Sequence, residues 1–174
     1  MATQRWPTAW LLTDERLGTE LDRAMQRAAA AGAGILIRHY RSEQSLRKRL
    51  AERVLDLGAP LAMAGDEELA RAAGAMMLHN PRDRASDLPF SLSVHDEKEA
   101  RRARDLGAAL AFVSPVYPTR SHPGATALGD TEALRLATIA GCPAVALGGI
   151  DQAKGAALMA RGFAGWAGID CWTS

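Results

Sequence analysis

Three stretches of this chain carry polar residues at spacings suited to chemistry. In "SLSVHD", two-residue alternation puts Ser91, Ser93 and His95 on one face and Leu92 and Val94 on the other. An imidazole exchanges protons near neutral pH, so His95 suits acid–base work, with capping or packing at a strand end as the alternative. In "ALGGID" and "GWAGID", glycines 148, 149 and 168 free backbone N–H groups to approach an anion such as phosphate. Taken singly such glycines serve tight turns equally well; two such turns on adjacent strands favour the anion. The third stretch is "SPVYPTRSHPGATALG", Ser114 to Gly129. It is far longer than the usual connection of about 2–6 residues between a strand and a helix. Thr119, Ser121 and His122 there supply hydroxyl and imidazole donors suited to a phosphate or diphosphate. Two isolated residues join them. Arg38 ends an apolar run, so it either snorkels to the surface or, if buried, needs an anionic partner. His79 in "MMLHNP" is as readily structural as ligand-contacting, and His39 alternates away from Arg38 and is given no role.

These residues need a scaffold that brings them together. Helix-like segments end at Gly32, Gly58, Gly74, Gly107, Gly141 and Gly162, and each glycine is followed by a short run apolar on both faces, as buried parallel strands are. Helix starts are signalled by Thr19 with Asp22, by Asp96 with Glu99, and by Ser42, Asp66 and Asp151. Eight such strands alternating with helices predict a single α/β domain over residues 1–174, a compact (β/α)8 TIM barrel. Such barrels usually need at least about 200 residues. The shortfall predicts a shortened fourth helix within "NPRDRASDLP" and a missing last helix after "DCWTS". A doubly wound open sheet is the rival. In the barrel, all the residues above fall on the loops after the strands, at one rim.

The composition agrees with a soluble globular domain. The chain has 174 residues, 48% hydrophobic and 24% charged, with a net charge of +1 that gives no reason to expect nucleic acid or an anionic membrane surface as partner. No stretch is long and apolar enough for a signal peptide or a membrane span, so a cytoplasmic location is the default expectation. Cys142 is expected below strand seven and Cys171 above strand eight, too far apart to pair across a strand of about 17–20 Å. Without a last helix, the seam at strand eight is expected to be covered by the Trp6 and Trp172 segments or by a second subunit in a homo-oligomer.

Together these motifs resemble the family of thiamine phosphate synthase and the related thiazole tautomerase, both (β/α)8 barrels. "SVHDEKEARRARDLGAALAFVSPVYPTRSHPGATALG" is similar to a long family segment, "PAVALGGID" to its phosphate turn, "GFAGWAGID" to its last glycine-rich strand and "WLLTD" to its opening. The resemblance implies a small phosphorylated thiazole or thiamine phosphate as ligand. Gly148, Gly149 and Gly168 would cradle the phosphate, a bulky residue at Gly149 would block it without changing stability, and Arg38, His79, Ser93, Thr119, Ser121 and His122 would line the substrate site. If the chain is a synthase, joining pyrimidine diphosphate to thiazole phosphate, it implies Mg2+ with Asp66 as a ligand. Departures are visible there. The family's Lys after strand two is Tyr40, the Asn before Asp66 is Gly65, the Asp after strand four is displaced to Asp83, and the Lys after the paired hydroxyls is His122. The tautomerase needs no cofactor, and its catalytic His corresponds to His95. The reading therefore leans to tautomerase-type proton transfer by His95, with a divergent synthase and a non-catalytic thiamine-phosphate binding protein as alternatives.

Overall fold

A computed structural model describes residues 5–82, 87–120 and 124–173. Eight parallel strands, β1 (Ala9–Leu12), β2 (Gly34–Ile37), β3 (Leu61–Ala64), β4 (Met77–His79), β5 (Phe90–Val94), β6 (Leu110–Val113), β7 (Ala144–Leu147) and β8 (Gly165–Gly168), pair in chain order into a closed barrel. Closure is made by β1 against β8, with Trp10 opposite Ala167. Six helices lie among the described residues: α1 (Leu21–Ala30), α2 (Gln44–Asp56), α3 (Glu67–Ala72), α4 (Glu97–Leu106), α5 (Gly129–Ala140) and α6 (Gln152–Met159). None of them is long and apolar enough to cross a membrane.

The local signals mostly act as read. All six helix-ending glycines have positive φ; Gly107, at 72°, takes the left-handed conformation that lets the chain turn from α4 into β6. Asp66, Asp96 and Asp151 accept the N–H groups of Leu69, Glu99 and Lys154 at 2.9, 2.8 and 2.9 Å. Thr19 and Ser42 do not cap. A 3-10 turn over Glu15–Glu20, capped by Asp14, absorbs Thr19, and α1 starts behind it. Ser42 instead turns its hydroxyl to Glu15, and α2 starts after Glu43 with no side-chain cap.

The economies that shorten the barrel are clear. Between β4 and β5 no helix occurs among the described residues, so the expected shortening there goes to completion in that part; residues 83–86, including Asp83, lie outside the description. Pro81 and Pro89 bound that connection. After β8 the described residues form a 3-10 turn, Asp170–Trp172. Its Trp172 does what a helix would have done. The ring stacks on outward-facing Trp166 with centroids 5.4 Å apart and planes at 6°, and its Nε1 donates to the Trp10 carbonyl at 3.2 Å. Helix α6 reaches Trp166 through Gly155, where an added Cβ would lie 2.3 Å from the indole. Trp6 packs half-buried against the core. Cys142 and Cys171 are both free thiols.

The barrel interior is plugged by rings. Trp10 meets Phe112 edge to face at 5.9 Å, and Phe112 meets His79 the same way at 5.3 Å. The indole fits because β2 carries Gly34 beside it: a Cβ there would stand 2.6 Å from Trp10. Trp172→Ala should destabilise the protein by about 3 kcal/mol, the usual range for removing a buried Trp, and Trp172→Phe by clearly less. Urea denaturation measures both.

Candidate functional site

The long loop after β6 explains itself first. It extends the sheet: Val116 N–H donates to the Leu147 carbonyl at 2.9 Å and Tyr117 N–H to the Gly148 carbonyl at 3.0 Å. It then returns, with Leu128 and Gly129 N–H groups donating to the carbonyls of Pro115 and Val116, both at 2.9 Å. Tyr117 Oη donates to Asp130 at 2.6 Å, and Asp130 pairs with Arg161, tying the loop to α5 and to the end of α6. The segment 115–118 is thus pressed onto the turn after β7.

That pressure accounts for two of the glycines. A Cβ on Gly148 would lie 2.8 Å from Pro115 Cα, and one on Gly149 2.6 Å from the Pro118 carbonyl. Both have positive φ, 99° and 63°. Gly168 is confined by Cys171, whose Sγ would stand 2.3 Å from an added Cβ. Substitution at Gly149 therefore strains the fold itself, which corrects the expectation of unchanged stability. All three glycines nonetheless line one cavity of about 240 Å3, together with Thr119, Arg120 and Lys154. Lys154, unremarked in the sequence, sends its ammonium to the Gly149 carbonyl at 3.0 Å and lies 5.5 Å above the Tyr117 ring. Arg120 pairs with Asp170 at 3.3 Å.

A second cavity of about 410 Å3 opens beside the first, and the two share a wall of Thr119, Leu147, Gly148 and Ile169. Arg38, His79, Ser93 and His95 all line it, the last two as the alternation on β5 predicts, and Asn80 and Tyr40 join them. Ser121 and His122 lie outside the described residues. Arg38 has the anionic partner its burial requires: Nη2 pairs with Asp14 at 3.0 Å, and Nε donates to the Thr13 carbonyl at 3.2 Å. Thr13 Oγ1 accepts the Arg38 N–H at 3.1 Å and shares a hydrogen bond with Nδ1 of buried His39, 2.9 Å away. His39 thus supports the Arg38 backbone from behind.

The two histidines in the cavity differ sharply. His79 is fully enclosed at the top of the ring stack. Burial first, then the charges of Arg38 and His95, push it down to about 3. It bonds Ser91 Oγ at 2.9 Å through Nδ1. His95 sits half-exposed at the lip, with Nδ1 2.7 Å from Glu99 Oε2. The same carboxylate oxygen accepts the His95 N–H at 2.8 Å. The sequence signalled Asp96 and Glu99 as a capping pair; it gave no sign that Glu99 reaches one residue further back to hold the imidazole.

The metal expectation finds little support in the donor set. Asp66 Oδ1 accepts from the Leu69 N–H, and Asp66 lines neither cavity. Asp14 is held by Arg38 and Arg16. Among the described residues no three His, Cys, Asp or Glu side chains gather where they could hold a metal ion. The described residues therefore form no all-protein metal cage; Mg2+ held by one or two carboxylates together with substrate phosphates would need no such cage.

Two outcomes follow. Gly149→Ala should cost about 1–3 kcal/mol of stability, read by urea denaturation, because it combines positive φ with contact against backbone. His79 should also make stability pH-dependent. The unfolded imidazole binds a proton near 6.5 and the folded one only near 3, so stability is full above 6.5 and declines as pH falls towards 3. The slope from this group is at most about 1.4 kcal/mol per pH unit, and His79→Gln should flatten the measured profile between pH 6.5 and 5.

Residues 9–171 match the thiamine monophosphate synthase family. A thiamine-phosphate synthase of Chloroflexus aurantiacus is 30% identical over 160 residues, covering 80% of this chain and 72% of that protein. One from Geobacillus kaustophilus is 30% identical over 131 residues, covering 69% of this chain but only 59% of the relative's length. Among solved structures, thiamine phosphate pyrophosphorylase from Pyrococcus furiosus superposes with a TM-score of 0.79 at 21% identity, covering 94% of this chain and 85% of that one. Nitroalkane oxidase from Streptomyces ansochromogenes superposes at 0.74 with 13% identity, over 97% of this chain and 66% of that one. At such identities the superpositions establish the barrel alone, which hosts many chemistries. With the sequence match running from the first strand to the turn after the last, the chain belongs to the thiamine monophosphate synthase family.

Proposed function

We propose that this chain binds a small phosphorylated thiazole, or thiamine phosphate, across the two joined cavities and moves a proton on it through His95. The observation that carries this reading is the contact between His95 Nδ1 and Glu99 at 2.7 Å on the cavity lip. A proton shift needs one group that both accepts and donates. The carboxylate engages Nδ1 and leaves Nε2 to take a proton from one ligand atom and return it to another, with Glu99 in the orienting role that a carboxylate plays beside a catalytic imidazole. His79 is unsuited to the task, since burial keeps it neutral down to about pH 3.

The division of the site supports a ligand with two parts. The smaller cavity, with Gly148, Gly149, Gly168, Lys154 and Arg120, suits a phosphate: backbone N–H groups can approach closely and two cations are at hand. The larger one, floored by His79 and Ser93 and flanked by Arg38, suits a ring. Ser121 and His122 stay in this proposal as loop donors on the strength of the family resemblance.

A second reading, coupling of a pyrimidine diphosphate to thiazole phosphate with Mg2+, is favoured by the names of the curated relatives. Here Asp66 would be a metal ligand. The assay that separates the readings offers the purified protein thiazole phosphates with and without pyrimidine diphosphate, and with and without Mg2+. On the first reading a metal-independent isomerisation is seen, and His95→Ala lowers turnover about 100- to 10,000-fold with ligand affinity nearly unchanged. Asp66→Asn costs less. Mg2+-dependent joining abolished by Asp66→Asn would replace that reading with the second. Binding without either reaction would mark a binding protein.

A further inference from the structure

Asn80 follows β4 with a φ of +47°, and among the described residues it is the one non-glycine at positive φ. Asn tolerates that conformation better than most residues, but the position is uncommon and directly precedes Pro81. Backbone held this way at a cavity is a sign that the side chain is wanted there. Its amide makes three contacts. Oδ1 accepts the Ser93 N–H at 2.9 Å, while Nδ2 lies 3.0 Å from Ser93 Oγ and 3.1 Å from His79 Nε2.

The donors and acceptors can be assigned in sequence. A backbone N–H only donates, so the amide atom facing Ser93 N is the oxygen. The other end is then NH2, which only donates. His79 Nε2 must therefore be the unprotonated acceptor, and the ring proton sits on Nδ1, pointing to Ser91 Oγ at 2.9 Å. Ser93 Oγ accepts from the same NH2, so its own proton is left over. Within the protein that proton has His79 Nε2 as a target, at a long 3.3 Å.

We propose that Asn80 is a positioning residue that sets the polarity of the cavity floor: it fixes His79 as the Nδ1–H tautomer and leaves the Ser93 hydroxyl to donate into the cavity. The floor then takes a ligand atom that accepts, a ring nitrogen or an anionic oxygen, in preference to one that donates. This concerns the floor shared by either reaction and stands whichever the chain performs.

The test is 15N NMR of the imidazoles in the intact protein, with the His79 signals assigned by their loss in His79→Gln. In the wild type, Nε2 should resonate as unprotonated and Nδ1 as protonated from pH 8 to 5. Asn80→Asp keeps an oxygen for the Ser93 N–H but puts an acceptor against Nε2, so the ring proton should move to Nε2 or a second proton be bound. Asn80→Gly keeps the backbone conformation and frees the ring, so the tautomers should mix; it decides the matter if the Asp variant fails to fold. With thiazole phosphate as probe, both variants should bind about tenfold more weakly, the scale of one lost hydrogen bond to a buried partner. A wild-type His79 protonated on Nε2, or variants that keep the wild-type His79 signature, would overturn the proposal. Failure of the wild type to bind thiazole phosphate would refute the ligand assigned above, while the NMR signatures still decide the role of Asn80.

Discussion

The indole of Trp10 inside the barrel is the contact on which the rest of the site depends. A short-stranded barrel must fill its centre with side chains, and here one large ring does much of that, admitted by the missing Cβ of Gly34. Phe112 stands edge-on to it, and His79 edge-on to Phe112. The imidazole is thereby lifted to the top of an apolar column and sealed from water on its lower side. Its neutrality follows from that placement, and its Nδ1 is set against Ser91 Oγ. The carbonyl of the same tryptophan also receives the indole proton of Trp172, so one residue links the floor of the cavity to the closure of the barrel seam.

Burial sorts the polar groups of the mouth into two kinds. His39, His79 and Arg38 are enclosed, and each is neutral or paired, because an unpaired charge there would be costly. His95, Lys154 and Arg120 are solvated, and each keeps a donor or a proton available. On the function proposed above, the enclosed group shapes the site and the solvated group does the exchange. On β5 strand register shows the gradient directly: Ser91 lies deepest, Ser93 is half-buried, and His95 emerges.

Much of this was readable in the chain. The strand count, the glycine stops and the aspartate caps are local signals, set by backbone conformation within a few residues, and they produced the right barrel. The residues on the rim followed from it. What local reading missed depends on contacts between distant segments. Thr19 and Ser42 have the chemistry of caps, but tertiary contacts moved the helix starts past them. That Gly148 and Gly149 also admit a tightly packed loop was hidden, because that loop is more than twenty residues away in sequence. Lys154 looked like an ordinary helix lysine. Asn80 could have been noticed: Asn-Pro after an apolar strand is a turn signal, and a polar turn residue at the top of a barrel strand lies on the functional rim. Gly34 opposite Trp10 was visible as a glycine inside an apolar strand, which marks close approach of another group.

The Glu99 carboxylate belongs to the first turn of α4 and to the imidazole at once. Helix ends open more readily than barrel strands, on their own timescale and at their own free energy. Each such opening would release His95 while the strands, the ring column and both cavities stay in place. The orientation of the imidazole is therefore governed by the local melting of one helical turn. Heat, denaturant or a weakened Asp96 cap would then free His95 before the barrel unfolds.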